Sequence, residues 1–167
     1  LSSRSWREEE RKIIQNNRLG MMFFRAEKLM DAGRADESDE WLSRIDLVEE
    51  NLEQDAVVHR ARLKAMNALH RIFLRGVKGN LAEALKHLDQ ISEEFSSDPI
   101  VPGQVNRARN ALLEKRWERE MEKGVELLQN PGGHFREARE FRQEVVRNFP
   151  AEFLELKKLH PRWFQLE

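Results

Sequence analysis

The chain contains no cysteine, which removes disulfides, thiolate metal sites and cysteine nucleophiles and favours a reducing compartment. Glycine and proline are sparse, 8 and 5 of 167 residues, and the residues that build sheets are correspondingly thin. No stretch approaches the roughly 18 consecutive apolar residues of a membrane span. The opening Leu1-Ser2-Ser3-Arg4-Ser5-Trp6-Arg7-Glu8 lacks the apolar core of a secretory signal. No membrane partner is expected, and the location expected is cytoplasmic. Net charge is nearly absent as well: 29 Lys and Arg against 30 Asp and Glu leave −1. The global balance therefore gives no reason to expect a polyanionic partner, and any such signal has to be local.

The residue groupings that carry catalysis are also missing. His59, His70, His87, His134 and His160 are scattered, with no His-x-x-x-His or Glu-x-x-His spacing that would put two ligands on one helix face. Gly132-Gly133 is not followed by Lys-Ser or Lys-Thr, and no Gly-x-Gly-x-x-Gly occurs, so no phosphate-cradling loop is legible. Carboxylates abound, but at positions expected to be solvated, where nothing raises a pKa. No cofactor, no metal and no enzymatic activity are expected. An enzyme whose site is assembled from distant segments is the third-ranked reading.

What the chain does have is charge and helical periodicity: 35% charged and 40% hydrophobic residues, a balance typical of long helices. Ser5 with Glu8 forms a capping-box signature ahead of Ile13, Ile14, Leu19, Met22, Phe23, Ala26, Leu29 and Met30. This predicts a helix over about 6–31, with Asn16-Asn17 and Gly20 able to kink it and Gly33 ending it. A second helix opens near Asp36 and buries Trp41, Leu42, Ile45 and Val48; a third runs over about 57–77 and is ended by Gly76 and Gly79. Asn80 with Glu83 opens a fourth, the 96–103 segment reads as a loop, and a fifth spans about 104–128 with Leu113, Trp117 and Met121 in register. Asn130-Pro131-Gly132-Gly133 breaks it ahead of a sixth over 135–148, and Pro150 starts a short seventh. The expectation is an all-α fold in a single domain, 1–167, of helix pairs 6–55, 57–96 and 104–149 with a short helix and tail at 150–167.

An internal repeat organises these helices. Gly33, Gly79 and Gly133 are each followed five positions on by a small residue (Ser38, Ala84, Ala138) and twelve positions on by a branched aliphatic (Ile45, Ile91, Val145); Phe95 and Phe149 stand sixteen positions after the second and third. Gly133-His134-Phe135-Arg136-Glu137-Ala138 with Pro150, and in part Gly79-Asn80-Leu81-Ala82-Glu83-Ala84, resemble the turn and second helix of the tetratricopeptide repeat family. That resemblance implies antiparallel helix hairpins stacked as a short α-solenoid whose groove receives a peptide or partner protein. The glycines stand 46 and 54 residues apart, wider than that family's repeat of about 34, and a plain helical bundle stays open as the alternative.

One charge feature is local. Between Asp55 and Glu83 there is no acidic residue, and Arg60, Lys64, Asn67, Arg71, Arg75 and Lys78 fall along one line of the third helix, about 27 Å long. Such a line can receive an acidic partner or follow nucleic-acid phosphates. It can also be spent within the chain, because residues 36–55 carry nine Asp and Glu against Arg44 alone. Arg60, Lys64, Arg71, Arg75 and Lys78 are thus the candidate binding residues. Trp163, Phe164 and Leu166, which have no stripe to join, either cap the last helix pair or form an interface. The function expected is non-catalytic: a protein interaction or scaffold module, or an accessory subunit of a larger complex. The alternative is a helical subunit of a nucleoprotein complex that touches phosphates through residues 60–78.

Overall fold

The computed structural model describes residues 3–48, 54–129 and 135–157. Among them it is all-α, with no strand: α1 (Ser3–Asp31), α2 (Ala35–Val48), α3 (Gln54–Lys78), α4 (Leu81–Glu94), α5 (Val101–Gln129), α6 (Phe135–Asn148) and α7 (Ala151–Lys157). The chain divides into two compact units, Leu1–Arg71 and Ile72–Glu167, so the residues of α3 are shared between them.

The first unit is built on the α1–α2 hairpin. α1 runs unbroken through Asn16, Asn17 and Gly20, so these weak helix formers do not divide it. It ends at Gly33, whose φ of 74° costs glycine nothing and any other residue a clash with its own Cβ. The Gly33 amide donates to Met30 O (2.9 Å) and the Arg34 amide to Leu29 O (2.8 Å), the paired bonds of a Schellman stop. Met22, Phe23 and Ala26 of α1 then meet Leu42 and Ile45 of α2 and Leu63 of α3 in one apolar cluster. Ile13 and Ile14, predicted for that stripe, are instead 59% and 66% exposed.

In the second unit, α4 packs on α5 and α5 on α6. Asn80 caps α4 through a bond from the Glu83 amide to its side-chain oxygen (3.2 Å), as its position after Gly79 predicts. The predicted 96–103 loop is shorter: Asp98 accepts from the amides of Ile100 (2.9 Å) and Val101 (3.0 Å), and Pro102 and Gly103 already belong to the first turn of α5, where a missing N–H goes unnoticed. Leu88, Val101, Val105, Leu112 and Met121 are almost wholly out of water, and Trp117, Phe149 and Phe153 form an aromatic cluster beside them.

Gly76, read from the sequence as a helix stop, lies inside α3 and is buried. A Cβ there would stand 2.7 Å from Ala84 Cβ and 2.9 Å from each methyl of Leu112, so the glycine serves close packing and not termination. Ala84 has no bond to rotate out of the way, which puts Gly76→Ala high in the roughly 1–3 kcal/mol range of overpacking, above the roughly 1 kcal/mol by which alanine is the better helix former. A lower thermal midpoint is expected for Gly76→Ala. Gly20→Ala, whose Cβ would meet nothing within 4 Å, is expected to raise it; circular dichroism melts of both variants check the opposite signs.

Candidate functional site

The basic line of α3 does not stand free in water as a row. Asn67, midway along it, is fully buried. Its side-chain nitrogen donates to Ser38 Oγ (2.9 Å) and to Asp39 Oδ1 (2.7 Å), while Ser38 Oγ donates to Ala26 O (2.9 Å). Arg71 continues the network, donating through Nη2 to Asp39 Oδ2 (2.5 Å) and through Nη1 to Asp36 Oδ1 (3.0 Å). Removal from water works against the Arg71 charge, yet the bonds to Asp39 and Asp36 outweigh it and hold its pKa above the ordinary guanidinium value. Arg60 and Lys64 are half-buried and engaged in interactions of their own. Arg75 and Lys78 are exposed and belong to the other unit. Of the five predicted residues, the structure thus brings Arg71 to the acidic α2. Trp163, Phe164 and Leu166 lie outside the described residues.

The charges of α5 are in part structural. Arg116 Nη1 donates to the carbonyls of Val77 (3.1 Å) and Gly79 (3.0 Å), and Arg119 Nη1 to Val77 O (2.9 Å). Two guanidinium groups thereby satisfy the free carbonyls at the C-terminus of α3, where the helix dipole favours positive charge. Arg116 Nε also pairs with the buried Glu120 carboxylate (2.9 Å), which Lys123 reaches at 3.4 Å. These residues border a cavity of about 420 Å³ floored by Phe141, Val145 and Phe149. Its two cations, Arg116 and Lys123, both pair with Glu120, and Glu126 and Glu144 line it as further carboxylates.

A different surface of the first unit is unexplained by folding. Met21 and Phe24 of α1 are 67% and 54% exposed, in addition to Ile13 and Ile14. Beside them Arg18, Met21, Met22 and Arg25 of α1 and Trp41 and Arg44 of α2 line a groove of about 660 Å³. The Arg44 guanidinium lies 4.8 Å from the Trp41 ring centre, a cation–π contact that holds the charge at the groove. Among the described residues, three arginines and no carboxylate line this groove. One signal of it was present in the sequence: residues 11–26 contain no Asp or Glu, a second acid-free window shorter than the one on α3.

Among the described residues no group of three or more His, Asp and Glu is placed to hold a metal ion, and no helix is long and apolar enough to cross a membrane. Comparison with protein-family models, curated proteins and solved structures finds no match to this chain.

Proposed function

We propose that the chain is a non-catalytic interaction module, or an accessory subunit of a larger complex, that docks a partner protein on the outer face of α1 and the groove beside it. The observation that carries this reading is the exposure of Ile13, Ile14, Met21 and Phe24, each more than half in water on one helix. An apolar surface of that kind, rimmed by charge, is costly to leave in solvent and marks association sites. The nucleoprotein alternative draws on the basic line of α3, and Arg71 there is already committed to Asp36 and Asp39.

We read the architecture as a degenerate tetratricopeptide-like array of helix hairpins. The repeat positions support this through what they touch. Ser38 is buried and bonded to the backbone of α1, Ala84 sits under Gly76, and Ile45 and Val145 are both in the core. Small residues at those points let neighbouring helices approach, which is the role they have in stacked hairpins.

A photoreactive phenylalanine analogue placed at position 24 in the organism of origin is expected to yield one discrete adduct, identified by mass spectrometry. The same analogue at exposed Glu94 of α4 is expected to yield none. Adding Met21→Glu is expected to abolish the adduct without lowering the thermal midpoint, since Met21 is in solvent. Absence of an adduct at position 24, or an equal yield at position 94, removes this surface from the proposal.

A further inference from the structure

The docking surface of α1 has a chemistry that specifies its occupant. Ile14, Arg18, Met21, Arg25 and Lys28 succeed one another by four, three, four and three residues, which traces one line along α1 about 21 Å long. Apolar and cationic side chains alternate on it from Ile14 to Arg25, and Lys28 adds a further cation. Arg18 and Arg25 are seven residues apart, two helical turns, and Arg44 supplies a third guanidinium from α2 across the groove. Met21, Met22 and Trp41 make the apolar floor, and thioether side chains adapt readily to an inserted anchor.

Resting on the interaction-module reading, we infer that this groove binds an amphipathic acidic helix of a partner protein: its apolar stripe on Met21 and Trp41, and carboxylates spaced two turns apart on Arg18 and Arg25. The match is one of charge and of period. A helix lying along α1 presents the same face every seven residues, which is the spacing of the two arginines. Arginine forks pair with carboxylates in bidentate fashion, and among the described residues no carboxylate lines the groove to answer them.

The same face suits other polyanions less well. A phosphate backbone gains nothing from Ile14 and Met21, which are left in water along the line. A flat anionic bilayer reaching Arg44 would also meet Glu37 and Glu40, which share the outer face of α2 with it and are exposed. A discrete helix seated in the groove avoids them.

The test is selection of random peptides, long enough for four helical turns, on the immobilised full chain. Enriched peptides are expected to combine Asp or Glu with Leu, Ile or Phe at helical spacing. Their binding is expected to weaken about tenfold or more with Arg18→Glu/Arg25→Glu and to fall with added salt. Peptides rewritten with Lys for Glu should bind that double variant and not the parent, a charge exchange that misfolding cannot imitate. No enrichment, enrichment of neutral peptides, or binding of phosphatidylserine–phosphatidylcholine vesicles or of an oligonucleotide through Arg18 and Arg25 in place of peptides overturns the inference. An adduct at position 24 that persists undiminished in Arg18→Glu/Arg25→Glu leaves the interaction module standing and removes the acidic helix.

Discussion

Trp117→Ala is expected to destabilise the second unit by about 3–5 kcal/mol, the largest effect of any single substitution considered for this chain. Trp117 is 2% exposed and meets Phe149 edge-on at 5.6 Å and Phe153 at 5.9 Å, while those two rings stack at 5.5 Å. Each edge contact contributes about 0.5–1.5 kcal/mol beyond burial, and truncation forfeits both together with the indole's apolar area. The surroundings have little means of closing the gap, because Phe149 and Phe153 are held against each other and by the chain between α6 and α7. Denaturant unfolding followed by circular dichroism measures the cost, and Trp117→Phe, which keeps a ring against Phe149, is expected to show a fraction of it. A loss below about 1 kcal/mol for Trp117→Ala, the level of a surface change, would mean that the cluster is not packed as described.

Much of the helical layout can be read from the sequence, because a 3.6-residue period and its caps are local properties. The Schellman stop at Gly33 and the Asn80 cap need only residues a few positions away, and both are seen where their sequence neighbours place them. The stripe also reads correctly in the middle of α1, where Met22 and Phe23 are buried and their neighbours Met21 and Phe24 are left in water. How far along a helix a stripe stays covered is a different matter: Ile13 and Ile14 continue the period and are exposed, because cover comes from other helices and not from the spacing within α1.

The same reason separates the visible from the hidden parts of the candidate site. Arg60, Lys64, Arg71, Arg75 and Lys78 were conspicuous through the absence of acid around them, yet their line passes through Asn67, and the polar contacts of a buried amide cannot be read from spacing. The possibility that α2 complements α3 by charge was legible; Arg71 on Asp36 and Asp39 is that complement. Arg18, Arg25 and Arg44 were not singled out, since the groove exists only once α1 and α2 pack as a hairpin and the spacing within either helix does not show it. Gly76, against Leu112, and Arg116, on the carbonyls of Val77 and Gly79, likewise act on partners far along the chain, and their local sequence reads as a stop and a solvated face.

The Asn67 network gives the second large effect. Asn67→Asp is expected to cost roughly 3 kcal/mol at neutral pH, because it sets a carboxylate in a fully buried place against the Asp39 carboxylate. Both hydrogens of the amide are used by Ser38 Oγ and Asp39 Oδ1, and the replacement offers acceptors to two acceptors. Burial and the like charge push the introduced carboxyl's pKa above its unfolded value. The folded state then binds the proton more tightly than the unfolded state, so the ionisation penalty is absent well below the ordinary carboxylate range. It grows as pH rises through that range and is complete above the folded-state pKa. The stability gap between parent and variant is therefore expected to narrow on acidification. Asn67→Leu removes the same hydrogen bonds without adding a charge, and its deficit, smaller at neutral pH because Asp39 keeps Arg71, is expected to lack that trend. Parallel urea titrations of the three proteins across pH decide the matter. Equal, pH-independent deficits for both variants would show that Asn67 fills space in the first unit without bonding Asp39.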